Sequence, residues 1–188
     1  MLITVQLLND FLSKFDIDYK NKLKPEKIKL AKCVIDKYKI PKRYLTGLSH
    51  DEKFQRQIEL ISKKRMTRVQ RYNTPLVTDI IARKNGIPTK GFCTKKWTSV
   101  YPSASTNAEK SQITGIPKKI LDEVENKGIG AFYSSGSRPG QTGNSWGKAR
   151  VNCFILNKPT VTNGPDKNLY IKAIKSPRAK KWFEKTKW

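Results

Sequence analysis

Acid is what this chain is short of: 15 Asp and Glu stand against 39 Lys and Arg, a formal net charge of +24 over 188 residues. Self-repulsion of that size works against an isolated compact monomer and favours a polyanion or an acidic protein as neighbour. Histidine is almost missing. The single one, His50, lies inside Ser49-His-Asp-Glu52, a helix-capping sequence, so no Cys–His nucleophile is available to Cys33, Cys93 or Cys153. Those three cysteines are scattered and show no C-x-x-C spacing, so neither a disulfide framework nor a zinc site is expected, and a reducing compartment fits. No apolar run approaches the ~18 residues that crossing a bilayer takes. The first ten residues lack a basic segment and meet Asp10 early, so they do not read as a signal peptide. The carboxylates show no metal-ligand spacing. Catalytic residues, metal and cofactor are all expected to be none, and the chain reads as a non-enzyme without a small-molecule substrate.

What is present begins with helical spacing. Leu2, Val5, Leu8, Phe11, Leu12 and Phe15 predict an amphipathic helix over 2–15. A second helix is expected from Pro25, burying Ile28, Ala31, Val34, Ile35 and Tyr38, and a third follows the Ser49/Glu52 capping box with Phe54, Ile58 and Ile61 inward. Thr74-Pro75 leads a short helix ending at Asn85-Gly86. Trp97–Pro102 and Leu169–Ile171 read as short strands, Pro117 opens a helix closed by Gly128 as its C′ residue, and Asn163–Asp166 is a turn. These elements predict an α+β, helix-rich fold. They divide it into a helical N-terminal region (1–72), a small mixed domain with a few short strands (73–171) and a basic aromatic tail (172–188).

Three features bear on binding. From Lys63 to Arg71 the chain carries Lys63, Lys64, Arg65, Arg68 and Arg71 without an acid, which is either a phosphate-tracking face or the solvated side of a helix end. The tail interleaves Lys180 and Lys181 with Trp182, Phe183 and Trp188. That pattern suits nucleic-acid stacking, an anionic membrane, or anchoring in a neighbouring subunit. The most particular stretch is residues 128–150, GIGAFYSSGSRPGQTGNSWGKAR, with six glycines and no carboxylate. A short strand would feed its Ser/Gly/Pro loop, and a helix is expected from Asn144 or Ser145. Two readings stay open: Arg138, Lys148, Arg150 and loop amides meeting one phosphate or carboxylate, or a tight structural turn. A Walker A loop is excluded, because only three residues separate Gly143 from Gly147-Lys148 and Ala149 stands where the hydroxyl belongs.

Two blocks resemble an uncharacterised domain family of nucleocytoplasmic large DNA viruses. One is Ile40-Pro-Lys-Arg-Tyr-Leu-Thr-Gly-Leu-Ser49. The other is Gly115-Ile-Pro-Lys-Lys-Ile-Leu with Gly130-Ala-Phe-Tyr-Ser-Ser-Gly-Ser-Arg-Pro-Gly-Gln-Thr and Ser145-Trp-Gly-Lys-Ala-Arg150. The resemblance covers roughly residues 40–156 and implies a viral origin without implying an activity. With the charge, it sets the leading expectation: a virion structural protein, a minor capsid or core-associated component that cements acidic surfaces of neighbouring capsid proteins. Viral DNA and an anionic inner membrane are the further partners considered, in the virion and in the host cytoplasm during assembly. The alternative expectation is a sequence-independent nucleic-acid-binding protein for genome condensation or expression.

Overall fold

The computed structural model describes residues 3–86, 91–135, 138–186 and 188, with the backbone alone described for Arg68, Tyr72 and Ser135. Leu2, Gly136, Ser137 and Lys187 therefore lie outside the described residues, as does the Arg68 side chain. The expected α+β class is overturned, since among the described residues every regular element is a helix and there is no strand. The chain forms two units. The first comprises residues 1–88 with 133–141, and the second comprises 89–132 with 142–188. This division differs from the expected one at 72 and 171: the tail is part of the second unit, and the loop at 138–141 belongs to the first.

In the first unit, α1 (Val5–Ser13) is capped by Thr4, whose hydroxyl accepts the Leu7 N–H at 3.1 Å, and it buries Leu8, Phe11 and Leu12. Pro25 lies in the first turn of α2 (Lys24–Ile35), where its missing N–H costs nothing. The expected capping box heads α3 (His50–Lys64): Ser49 N–H donates to Glu52 at 2.8 Å, and Glu52 N–H donates to Ser49 Oγ at 3.4 Å. Phe54, Ile58 and Ile61 meet Ala31, Val34 and Ile35 on one apolar face. Two short helices follow, α4 (Arg68–Asn73) and α5 (Val77–Lys84). Ahead of α3, a 3-10 turn at Lys42–Tyr44 packs Tyr44 with Leu60 and Leu76.

The second unit holds α6 (Phe92–Val100), α7 (Asn107–Thr114), α8 (Lys118–Ser135, its last turn counted with the first unit), α9 (Gly143–Ile155), α10 (Pro159–Thr162), α11 (Lys167–Ala173) and α12 (Pro177–Lys185). Each strand expectation fails for the same reason, packing of a helical face. Trp97 lies one turn after Cys93, both buried, and its indole N–H donates to Ala104 O at 2.8 Å. Leu169 and Ala173 repeat that spacing in α11. Apolar runs this short are ambiguous between strand and helix, and tertiary packing decides.

Gly128 was expected to end its helix, yet α8 continues to Ser135. A Cβ there would stand 2.7 Å from Gly147 Cα, so the two glycines let α8 and α9 approach closely. A further correction concerns Cys93 and Cys153, which form a disulfide 60 residues apart in sequence, joining α6 to α9. No local spacing could announce it, because packing of the two helices creates the pair. Cys33 is free and exposed.

Candidate functional site

The loop that reads as an anion cradle does hold a carboxylate, and it is the chain's own. Gly140, at φ +80°, aims its N–H at Asp79 Oδ1 at 3.0 Å. Asp79 in turn meets Arg56 NH1 at 2.8 Å, and both side chains are buried. Arg56 also donates to Thr78 Oγ1 at 3.1 Å, and the Thr78 backbone N–H reaches Glu59 at 3.3 Å. Arg83 donates to Gln141 O at 3.4 Å, tying α5 to the same loop. Burial pushes the Asp79 carboxyl up and the Arg56 guanidinium down, while their mutual attraction and the Gly140 N–H act the other way. Chemically this is a latch: a glycine-containing turn closes over a buried ion pair inside the first unit.

The second cation of that stretch behaves similarly in the second unit. Arg150 Nε and NH2 each lie 2.8 Å from Asp166, a bidentate pair on a fully buried carboxylate, with Lys127 at 3.4 Å. Arg138 and Lys148 are exposed.

The basic run at 63–71 is not one face. Lys63 is buried, donates to Arg71 O at 3.4 Å and lies 5.9 Å from the Tyr133 ring; burial lowers its pKa. Arg71 caps the end of α3 through Met66 O and Lys64 O, both at 3.0 Å. Lys64 and Arg65 are exposed and lie over Tyr38 at 5.2 Å and Phe15 at 4.5 Å. Of the tail aromatics, Phe183 is buried in the core, and Trp182 donates its indole N–H to Ile155 O at 2.7 Å while packing on Trp97 and Tyr101. Lys180 and Lys181 stay in solvent on the outer side of α12.

Trp188 alone of the three aromatics is exposed, at 46%, and it stands beside residues the sequence reading did not single out. Phe92, 65% exposed, meets its edge at 5.5 Å, and the ammonium groups of Lys96 and Lys158 lie 5.4 and 4.8 Å from its ring centre. A signal for part of this set existed in Phe92-Cys-Thr-Lys-Lys96, an aromatic followed within one helical turn by two lysines.

Among the described residues no group of three or more His, Cys, Asp and Glu is placed to hold a metal, and no helix is long and apolar enough to cross a membrane. A family model described as a family of unknown function, DUF5824, matches residues 41–170. No curated protein and no solved structure matches the chain.

Proposed function

This chain belongs to the family of unknown function DUF5824, and we propose that it is a non-enzymatic protein that binds nucleic acid through a basic surface without reading sequence. The observation that carries the reading is the charge together with its placement. The +24 excess is shared by both units, and the second presents Lys95, Lys119, Lys148, Lys167, Lys172, Lys175, Lys180 and Lys181 to solvent. Buried carboxylates occupy some cations, Arg56 and Arg150 among them, but these lysines remain at the surface, where phosphate is their natural counter-charge.

Binding of this kind is driven by counterion release. With six to ten phosphate contacts, affinity for a DNA duplex of arbitrary sequence falls by roughly 10³–10⁵ between 50 and 200 mM salt. Titration of labelled duplexes of two unrelated sequences across that range is the test. Equal affinities and a steep slope are expected; absent or salt-insensitive binding removes the reading.

A minor capsid or core-associated role, cementing acidic capsid surfaces, draws on the same charge and on the resemblance of the 130–150 block to proteins of large DNA viruses. Its argument from a tail that reaches into neighbours is weakened, because Trp182 and Phe183 pack within their own unit. Its check is the protein's presence in purified particles.

A further inference from the structure

We propose that Phe92 and Trp188, with Lys96 and Lys158, form a stacking site for the unpaired bases of single-stranded nucleic acid; this rests on the nucleic-acid reading above. The site is a surface of the second unit. Along α6, residues 92, 96 and 100 share one face, and it points outward: Phe92 is 65% exposed and Val100 is also in solvent, while Cys93 and Trp97 are buried on the other side. Two large aromatic rings in water, edge to face at 5.5 Å and 72°, leave π surface uncovered. Lys96 lies within 6.0 Å of both rings, and Lys158 lies 4.8 Å from Trp188. Cation–π contacts at an exposed site are weak, so either ammonium can exchange its ring for a phosphate when a base takes its place.

The platform is built from behind. The Cys93–Cys153 disulfide joins α6 to α9, Asn152 Nδ2 donates to Thr94 Oγ1 at 3.2 Å, and Trp97 donates to Ala104 O at 2.8 Å. On the Trp188 side, Asn157 Nδ2 donates to Phe183 O at 3.4 Å and to Thr186 O at 3.3 Å, fixing the chain beside Lys158. A surface held in place before binding loses little freedom on contact.

The chemistry selects the partner. In a duplex the base faces are stacked on each other and only edges and phosphates are offered, so exposed aromatic faces gain nothing there. An interfacial membrane helix needs a continuous apolar face, whereas Lys95, Lys96, Thr98 and Ser99 lie between Phe92 and Val100. Unpaired bases with phosphates alongside match rings and ammonium groups together.

The test compares the full chain's affinity for four probes: short oligo-dT, an abasic strand of equal length, a duplex, and phosphatidylserine vesicles. Oligo-dT should bind about ten-fold tighter than the abasic strand, since base–aromatic stacking is worth that order per base. Phe92→Leu and Trp188→Ala should erase the difference and leave abasic and duplex binding unchanged, whereas Phe92→Tyr should keep it. Both substitutions fall on exposed side chains, and unchanged thermal melts confirm folding. Lys96→Gln with Lys158→Gln should weaken all nucleic-acid probes alike. An oligo-dT preference that survives Phe92→Leu overturns the site, as does a substitution that affects vesicles but not strands. Loss of binding to every nucleic-acid probe in the wild type overturns the broader reading and the site with it.

Discussion

The two units solve the problem of holding a highly charged chain together in different ways. In the first, a turn at Gly140 closes over Arg56 and Asp79, so charge is taken inside and tied by hydrogen bonds. In the second, Trp97, Leu121, Val124, Phe154 and Phe183 belong to a larger apolar cluster, two glycines bring α8 and α9 together, and a disulfide joins α6 to α9. A buried ion pair is weak evidence of net stability, but it is brittle: removing one partner strands the other without water. The second unit buries a pair of its own, Arg150 with Asp166, and adds a larger apolar core and a cross-link. The comparison teaches that the same charge excess and the same brittle device coexist with different backing in the two units.

The largest expected effect breaks the latch. Asp79→Ala leaves the Arg56 guanidinium buried without its carboxylate and the Gly140 N–H without its acceptor, a loss of about 3–5 kcal/mol. Arg56→Met with Asp79→Leu removes both charges and should recover most of that loss. All four tryptophans, Trp97, Trp146, Trp182 and Trp188, lie in the second unit, so their fluorescence reports that unit alone while circular dichroism reports both. Asp79→Ala should therefore split the two unfolding curves, moving the dichroism midpoint and leaving the fluorescence one. Curves that move together would show that the units unfold as one and would break the comparison.

Next comes the cross-link. Reducing Cys93–Cys153, or replacing both residues with serine, frees a loop of 60 residues in the unfolded chain and should cost about 2–4 kcal/mol. Here the fluorescence midpoint should fall. A shift confined to dichroism would assign the loss to the wrong unit.

How much of this was legible in the chain differs between the same two units. The first reads well, because α1, α2 and α3 carry local signals: apolar residues at helical spacing, a proline in the first turn, and a serine and a glutamate that cap each other. The second reads poorly. Trp97 and Leu169 sit in runs too short to separate strand from helix, and Gly128 looks like a stop until Gly147 is found against it. The site residues divide by the same logic. Arg150 and Lys63 are cations in sequence but internal partners in space, because Asp166 and Arg71 reach them only in the folded chain. Phe92 and Trp188 lie 96 positions apart and become neighbours only through folding.

The smallest effect tests a device the units share. Glu52 in the first unit and Glu109 in the second each close a capping box, and hydrogen bonds from Ser49 and from Thr106 hold their carboxyls below the usual glutamate range. A lowered pKa in the fold means stability that is present above the ordinary glutamate value and is lost as pH falls through the lowered one. Both side chains are solvated, so for Glu52 screening leaves about 0.5 kcal/mol or less. Asp79 titrates in acid as well. Burial raises its carboxyl pKa while the Arg56 guanidinium and the Gly140 N–H lower it, so its own titration overlays that of Glu52. The difference in midpoint between wild type and Glu52→Gln separates them, since Asp79 contributes equally to both. That difference should be open at neutral pH and close in acid. A gap that stays flat with pH would take the charged carboxylate out of the cap and leave only its hydrogen bond.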